Sequence, residues 1–192
     1  RQRQMCIRDR YRPGPMDSIP TYLRNRHEPD KISYKTPQLA HILDVTNGCI
    51  VYQEQVMQIF RELAGFSFGQ ADNVRRAMSK KKHAVMEAER EHFVHGCTEP
   101  GHECPGCVAN GISEKVANEI YDEMSSFASY AFNKSHAACY AYVAFQTAYL
   151  KCHYPSEFMA ALLTSVLDNT DKVIEYSGEC ARLGIKVLPP DV

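Results

Sequence analysis

Apolar residues recur every three or four positions along most of this chain, which is the spacing of one face of an α-helix. The clearest example is residues 50–64, where the apolar side chains keep this spacing and Gly65 follows as a helix-ending residue. The same spacing predicts helices at about 70–80 and 84–93, the second of them highly charged. The first half of the chain is therefore expected to be mostly helical.

Residues that favour helix starts divide the rest of the chain. Thr36 followed by Pro37 predicts a short helix before a turn. Ser113 and Ser135 are predicted N-caps of two longer helices, the second of which ends near Tyr154. Because this second helix is apolar on nearly all sides, we expect it to lie at the centre of the fold. Two more helices are predicted at residues 156–167 and 170–183.

Proline and glycine mark the parts that the helical pattern does not reach. Residues 11–36 hold several prolines and are predicted to form an extended segment on the surface. Residues 96–112 are rich in glycine and proline and are predicted to form a loop. Residues 185–188 resemble a short strand. The predicted fold class is mainly α, with seven or eight helices and little β-structure.

Composition limits the function rather than the fold. The chain has 192 residues, 44% of them hydrophobic, and a net charge of −1, as in ordinary globular proteins. Any site for a polyanion must therefore be a local cluster. The eight cysteines are not spaced like a dense disulfide framework, which indicates a reducing, cytoplasmic setting. We expect neither a signal peptide nor a membrane span, since no apolar run approaches ~20 residues.

The strongest local charge is a run of five cations between residues 75 and 82. Arg75, Arg76, Lys80, Lys81 and Lys82 stand there without an intervening acid. Arginine offers paired hydrogen bonds to phosphate oxygens and lysine a mobile positive charge, so the run suits a phosphate group. Like charges at these spacings destabilise an isolated helix, which favours an anionic partner. A solvated helix face is the alternative interpretation.

A second candidate site is the start of the apolar helix that Ser135 is predicted to cap. Asn133, Lys134, Ser135 and His136 place several donors where the backbone N–H groups of a first turn have no partner within the helix. A phosphate or the edge of a nucleoside would fit there. The alternative is capping alone, with Ser135 as the N-cap, Lys134 solvated and His136 packed.

Five segments resemble the successive motifs of one protein family. They are Tyr11-Arg-Pro-Gly-Pro-Met16, Val51-Tyr-Gln-Glu-Gln-Val-Met57, Arg75-Arg-Ala-Met78 with the lysines that follow, Phe132-Asn-Lys-Ser-His136, and Tyr154-Pro-Ser-Glu-Phe-Met-Ala-Ala161. In this order they are similar to the α subunit of bacterial DNA polymerase III, the C-family replicative polymerase. The resemblance runs from about Tyr11 to Val192, whereas residues 1–10 do not fit it and are expected to be non-native or disordered.

The resemblance implies a function in DNA replication. A family member adds deoxynucleotides to a primer 3′-end with two Mg²⁺ ions held by palm-domain aspartates. Those aspartates precede the Tyr11 motif in the family, and this chain has no Asp-x-Asp pair, so no catalytic residue is expected in it. The basic run and residues 133–136 are implied to lie at the incoming nucleotide. The implied partners are primer–template DNA, deoxynucleoside triphosphates and holoenzyme subunits such as the sliding clamp.

The resemblance also implies a division of the chain. Residues 11–36 correspond to the palm edge, and residues 37–167 to a multi-helix fingers domain with the loop 96–112 as an insertion. Residues 168–192 correspond to the start of the next region. The isolated chain is expected to bind its ligands weakly and to be inactive as a polymerase.

The glycine- and proline-rich loop departs from the family pattern and holds a candidate zinc site. Cys97, His102, Cys104 and Cys107 supply four ligands, the last two cysteines at a spacing typical of structural zinc sites. A loop with little apolar surface needs another source of free energy to become ordered, and zinc would supply it. Free thiols and a reversible disulfide are the alternatives.

Two other functions stay open at this point. One is a zinc-stabilised helical module that binds nucleic acid or a protein partner without catalysis. The other is a regulator switched by disulfide formation among the three loop cysteines. The polymerase resemblance accounts for about 180 residues, whereas each alternative accounts only for short segments. Outside the loop, Cys139, Cys152 and Cys180 are predicted to be buried apolar residues.

Overall fold

The computed structural model describes residues 15–80, 83–128 and 132–188. Within these ranges the backbone forms ten α-helices, short 3-10 helices and two isolated β-bridges, but no strand. The predicted class, mainly α with little β-structure, is confirmed. The extended segment at residues 185–188 has no strand partner among the described residues, so the strand expected there is not formed.

The helices follow one another along the chain with short connections. They are α1 (Ile19–His27), α2 (Ala40–Leu43), α3 (Gln53–Ala64), α4 (Phe68–Ser79), α5 (His83–His95), α6 (Gly106–Ala109), α7 (Glu114–Ala128), α8 (Lys134–His153), α9 (Pro155–Thr164) and α10 (Thr170–Arg182). The 3-10 helices are Pro15–Ser18, Pro29–Lys31, Pro37–Leu39 and Asp44–Thr46.

The described residues divide into two compact units. The larger unit holds the residues up to Ala138, with α1 to α7 and the first turn of α8. In it, α3 packs against α4, α5, α6 and α7. The smaller unit holds the residues from Cys139 onward, where α9 packs against α10. All the described residues of the candidate nucleotide site lie in the larger unit.

Helix α3 is the central helix of the larger unit because its apolar face is fully buried. Ile59, Phe60 and Leu63 have no exposed surface. The Phe60 ring packs edge-on against the rings of Phe93 and Tyr121, with centroid distances of 4.9 and 6.0 Å. Such edge-to-face pairs stabilise a core beyond the burial of their area. The helix that the apolar spacing predicted most clearly thus forms the middle of the core.

One polar side chain, Gln55, is buried at the start of α3. Its Oε1 accepts hydrogen bonds from the backbone N–H groups of Val51 and Tyr52, both at 2.9 Å. Its Nε2 donates to the Ile42 carbonyl at 3.1 Å and to the Thr46 hydroxyl at 2.7 Å. The amide oxygen and both amide hydrogens therefore have partners, as a buried polar group requires.

The segment before the first predicted helix is not wholly extended. Residues Ile19–His27 form α1, and the buried Tyr22 anchors this helix. The prolines of the segment misled the prediction, although Pro20 lies in the first turn of α1, where its missing N–H has no helical acceptor. The assignment of this segment to a palm edge stays a prediction.

The predicted central position of α8 is wrong. Most of its side chains from residue 139 onward are exposed, among them Tyr140, Tyr142 and Tyr149. An apolar composition shows that a helix can be buried. It does not show which other elements cover the helix. In this structure Ala137 and Ala141 are the buried positions of α8. No helix of the described residues has the length and apolarity needed to cross a bilayer.

Gln55→Ala is expected to lower the free energy of unfolding by about 3 kcal/mol, because it leaves several buried backbone groups without partners. Chemical denaturation of the chain measures the change. Gln58→Ala, at an exposed position of the same helix, is the matched control and is expected to change stability by less than ~0.5 kcal/mol. Equal effects of the two substitutions would contradict the structural role of Gln55.

Candidate functional site

Helix α4 carries the arginines of the basic run on the side away from the core. Its N-cap is Ser67, whose hydroxyl accepts from the Gln70 backbone N–H at 3.3 Å. The Gln70 side chain in turn accepts from the Ser67 backbone N–H at 2.7 Å, which completes a capping box. The inner face of the helix is buried and consists of Ala71, Val74 and Met78.

Asp72 binds both arginines of this helix. Its Oδ1 accepts from Nε and Nη2 of Arg75 at 2.9 and 2.8 Å, and its Oδ2 lies 2.7 Å from Nε of Arg76. Hydrogen bonding to Arg75 is the main cause that lowers the pKa of Asp72, and the charges of both arginines act in the same direction. The ionised carboxylate therefore sets the direction of two guanidinium groups.

The sequence interpretation overlooked this acid because it considered acids only within the run from residue 75 to 82. Asp72 precedes Arg75 by three residues and Arg76 by four, which are the spacings of neighbours on a helix face. From this spacing the ion pairs of Asp72 with the two arginines could have been predicted. The local positive field is smaller than five uncompensated cations would give.

The cations of the run differ in their surroundings. The Arg75 side chain is 20% exposed and also donates to Oε1 of Gln53 at 3.1 Å. The Arg76 side chain is 65% exposed, so its guanidinium group faces solvent although Asp72 holds its Nε. Lys80 is exposed just after the helix. Lys81 and Lys82 lie outside the described residues.

The start of α8 is organised by Asn133 rather than by the predicted cap, Ser135. The Asn133 Oδ1 accepts from the His136 backbone N–H at 2.9 Å, which is the bond of an N-cap residue. Lys134, Ser135 and His136 are exposed. The sequence therefore identified the right helix start but placed its cap two residues too late.

The carboxylate of Glu54 lies at this helix start. Its Oε1 accepts from Nδ2 of Asn133 at 3.0 Å, and its two oxygens lie 3.1 and 3.0 Å from the Lys134 backbone nitrogen. A negative group is favourable there because the helix dipole is positive at its N-terminus. The expectation of unpaired backbone donors is therefore wrong for Lys134 and His136, whose N–H groups have acceptors within the chain.

A parallel β-bridge between Tyr52 and Phe132 holds the starts of α3 and α8 side by side. The Gln53 N–H donates to the Phe132 carbonyl at 3.0 Å, and the Phe132 N–H donates to the Val51 carbonyl at 3.2 Å. Nearby, the Lys134 ammonium lies 5.8 Å from the centre of the Tyr52 ring. The bridge thus fixes the second candidate element against the central helix.

A cleft of about 340 Å³ brings the two candidate elements together. Helix α3 lines it with Gln53 and Glu54, and helix α4 lines it with Asp72 and Arg75. Asn133, the N-cap of α8, also lines the cleft. The cleft therefore has donors and acceptors fixed by bonds to one another. Of the residues predicted for a nucleotide site, Arg75 and Asn133 line it, while Arg76 and Lys134 directly follow them in the chain.

The cysteine-containing loop is ordered by its own backbone and by apolar packing. Cys97 and Cys104 face each other in an antiparallel β-bridge, with two N–H···O=C bonds of 2.9 Å. Gly96 and Gly106 let two backbone segments touch, since a Cβ on Gly106 would lie 2.3 Å from the Gly96 nitrogen. Cys107 is fully buried in the hydrophobic core. The expectation that this loop buries little apolar surface is therefore wrong.

The buried loop thiols lie in apolar surroundings. Burial raises the pKa of Cys104, and it raises the pKa of Cys107 to about 12. His102 is exposed. Across the ranges that the structure describes, no three His, Cys, Asp or Glu side chains are placed to hold a metal ion. The zinc site stays a prediction.

The remaining cysteines follow the expectation only in part. Cys180 is buried, as predicted for a small apolar residue. Cys139 and Cys152 are exposed because they lie on the uncovered part of α8.

Comparison with known proteins agrees with this architecture. Residues 10–101 match the family described as the bacterial DNA polymerase III alpha subunit finger domain. The helical fold and this match place residues 10–101 in the class of polymerase finger domains. The chain belongs to the family of bacterial DNA polymerase III α subunits.

Three relatives carry the same name, DNA polymerase III subunit alpha. The protein from Thermus aquaticus is 49% identical over 187 residues, that from Bacillus subtilis 47% over 182, and that from Pasteurella multocida 46% over 189. Each similarity covers 95% of this chain. The chain spans only 14–15% of the length of these relatives.

The zinc prediction expects one zinc ion per chain, bound through Cys97, Cys104 and Cys107 with His102. Elemental analysis of the untagged chain, purified under reducing conditions, measures the content. Thiol labelling is the second measurement, with the exposed Cys139 and Cys152 as fast-reacting internal controls. A zinc content near zero, with the loop thiols titratable after unfolding, would leave the β-bridge and the buried cysteines as the source of order in the loop.

Proposed function

We propose that this chain is the part of a DNA-directed DNA polymerase that positions the incoming deoxynucleoside triphosphate and the template at the primer 3′-end. The family relationship supports a role in a replicative polymerase. The observation that carries the finer proposal is the cleft, because Arg75 and Asn133 line it from two different helices. A cleft with fixed donors is suited to a ligand that brings several anionic oxygens.

The proposed roles follow from the chemistry of each side chain. The exposed guanidinium of Arg76 offers further N–H groups to phosphate oxygens beyond the Nε that Asp72 holds. Arg75, which is tied to Asp72 and Gln53, forms a fixed wall of the cleft. Further donors come from the end of the basic run and from the first turn of α8, namely Lys80, Lys81, Lys82, Lys134, Ser135 and His136.

The Mg²⁺ ions that the family implies do not fit the described residues of this chain. The two-metal mechanism needs carboxylates that converge on a pair of ions. The two acids of the cleft already have partners, since Glu54 accepts from Asn133 and Lys134 and Asp72 binds two arginines. We therefore assign no metal-dependent step to these residues and place the metal ligands in another part of the polymerase.

We further propose primer–template DNA and subunits of the replicative holoenzyme, such as the sliding clamp, as partners, and the bacterial cytoplasm as the setting. The similarity to polymerase subunits extends over 95% of the chain. A zinc-stabilised binding module or a disulfide-switched regulator would account only for the basic run and the loop. The extent of the similarity therefore favours the polymerase.

In a full-length α subunit that carries this segment, Arg76→Ala is expected to raise KM for deoxynucleotides about ten- to hundredfold, since a hydrogen bond to a charged group contributes about 1.5–3 kcal/mol. Single-nucleotide incorporation on a primed template measures the effect. Arg182→Ala is the matched control, because Arg182 is 71% exposed and is likewise paired with an acid of its own helix, Glu179.

An unchanged KM and turnover for Arg76→Ala would show that the assignment is wrong. If Arg76 instead contacts only duplex phosphates, KM will stay constant. The salt dependence of DNA binding will then fall by about one in slope for the lost cation.

The isolated chain is expected not to extend a primer with any divalent metal, because its described residues hold no carboxylate cluster for the two ions. Primer extension by the purified chain, compared with a mock preparation, measures this. Extension above the mock level would contradict the proposed division of labour.

A further inference from the structure

The first turn of α3 contacts both elements of the proposed nucleotide site. Gln53 accepts from Nη1 of Arg75 at 3.1 Å, which links this turn to the basic helix α4. The next residue, Glu54, accepts from the Asn133 side chain and from the Lys134 backbone, which links the same turn to α8. Two consecutive residues therefore connect elements that are remote from each other in sequence.

This turn has a rigid base. Gln55, the third residue of the turn, is 3% exposed and bonds through its side chain to the backbone of Val51, Tyr52 and Ile42. The backbone of this turn is therefore fixed relative to the core. The hydrogen bonds of the Glu54 carboxylate tie the start of α8 to that backbone.

The bonds of Glu54 also decide how the start of α8 can meet a ligand. The N–H of Lys134 is taken by Glu54, and the N–H of His136 is taken by Asn133. Those two backbone donors are thus used within the chain. A nucleotide would meet this helix start mainly through the exposed side chains of Lys134, Ser135 and His136. The positions of these side chains depend on the backbone that Glu54 holds.

We propose that Glu54 is a positioning residue for nucleotide binding, which acts through Asn133 and Lys134 and does not itself touch the nucleotide. This inference rests on the proposed function of the cleft. Displacement of the groups that contact the nucleotide lengthens and misaligns their hydrogen bonds to it, and such bonds are weaker. Loss of the Glu54 contacts should therefore weaken nucleotide binding more than it weakens binding of primer–template DNA.

The test uses a full-length α subunit that carries this segment, with dATP and a primed template as the probes. Glu54→Ala is expected to raise KM for dATP about tenfold, with a smaller change in kcat and in the Kd of the primed template, because the displaced groups bind the nucleotide less well. Glu54→Gln keeps one oxygen that can accept from both Asn133 and Lys134, so it should restore most of the loss. Glu62→Gln, on the exposed side of the same helix, is the matched control and should leave KM unchanged.

A second variant keeps the test valid if the alanine variant does not fold. Glu54→Asp retains the charge but withdraws the carboxylate by one methylene, so it should raise KM while the melting temperature stays near that of the wild type. Hydrogen exchange of the segment 133–138 should become faster in Glu54→Ala and Glu54→Asp, since the Lys134 N–H loses its acceptor, and should stay near the wild-type rate in Glu54→Gln.

Arg76→Ala, measured in parallel, distinguishes a failure of the proposed nucleotide site from a failure of the positioning role of Glu54. If Arg76→Ala raises KM but the Glu54 variants do not, the positioning role is overturned and the proposed function stands. If the Glu54 variants lose only thermal stability at constant KM, Glu54 is structural and the inference is likewise wrong. If no variant changes KM, both the positioning role and the nucleotide site are overturned.

Discussion

The buried amide of Gln55 is the interaction on which the geometry of the larger unit depends. By accepting from the N–H groups of Val51 and Tyr52, it holds the backbone before α3 extended. The extended backbone turns the Val51 carbonyl and the Gln53 N–H toward Phe132, which pairs with both. The position of the first residues of α8 therefore follows from one buried side chain. A hydrophobic residue of the same size would leave several buried groups unpaired.

Two carboxylates then convert this frame into a site with fixed donors. Asp72 orients the guanidinium groups of α4, and Glu54 orients the start of α8. Fixed donors favour binding because less conformational entropy is lost when the ligand arrives. In this arrangement the two acids of the cleft orient the groups that donate hydrogen bonds.

The sequence predicted most of the fold but only part of the site. Apolar spacing located α3, α4, α5 and α7, because each has one buried face. It missed α1, where prolines occupy the helix start, and it misplaced α8, because a uniformly apolar helix gives no information on which neighbours cover it. Asp72 was visible as an i, i+3 and i, i+4 neighbour of the arginines.

Other parts of the site had no local signal in the sequence. Glu54 precedes Lys134 by 80 residues, and only the tertiary structure brings them together. Asn133 and Ser135 are both good N-cap residues, so composition alone did not choose between them. The loop cysteines resembled a metal motif by spacing, but that spacing gave no sign that Cys107 lies in the hydrophobic core. The local sequence pattern therefore located the helices, whereas contacts between residues remote in sequence determined which side chains form the site.

The β-bridge between Cys97 and Cys104 closes off the tip of the loop, residues 98–103. Residues 98–103 are exposed, and within them the Glu103 carboxylate accepts from the Gly101 backbone N–H at 3.0 Å. Both ends are clamped by the bridge and by the contact of Gly96 with Gly106. Lengthening such a tip costs only ~0.6 kcal/mol of closure entropy for each doubling of its length. This is consequently the place where a fluorophore, an epitope or a lineage-specific extension can be carried without disturbing the helices on either side.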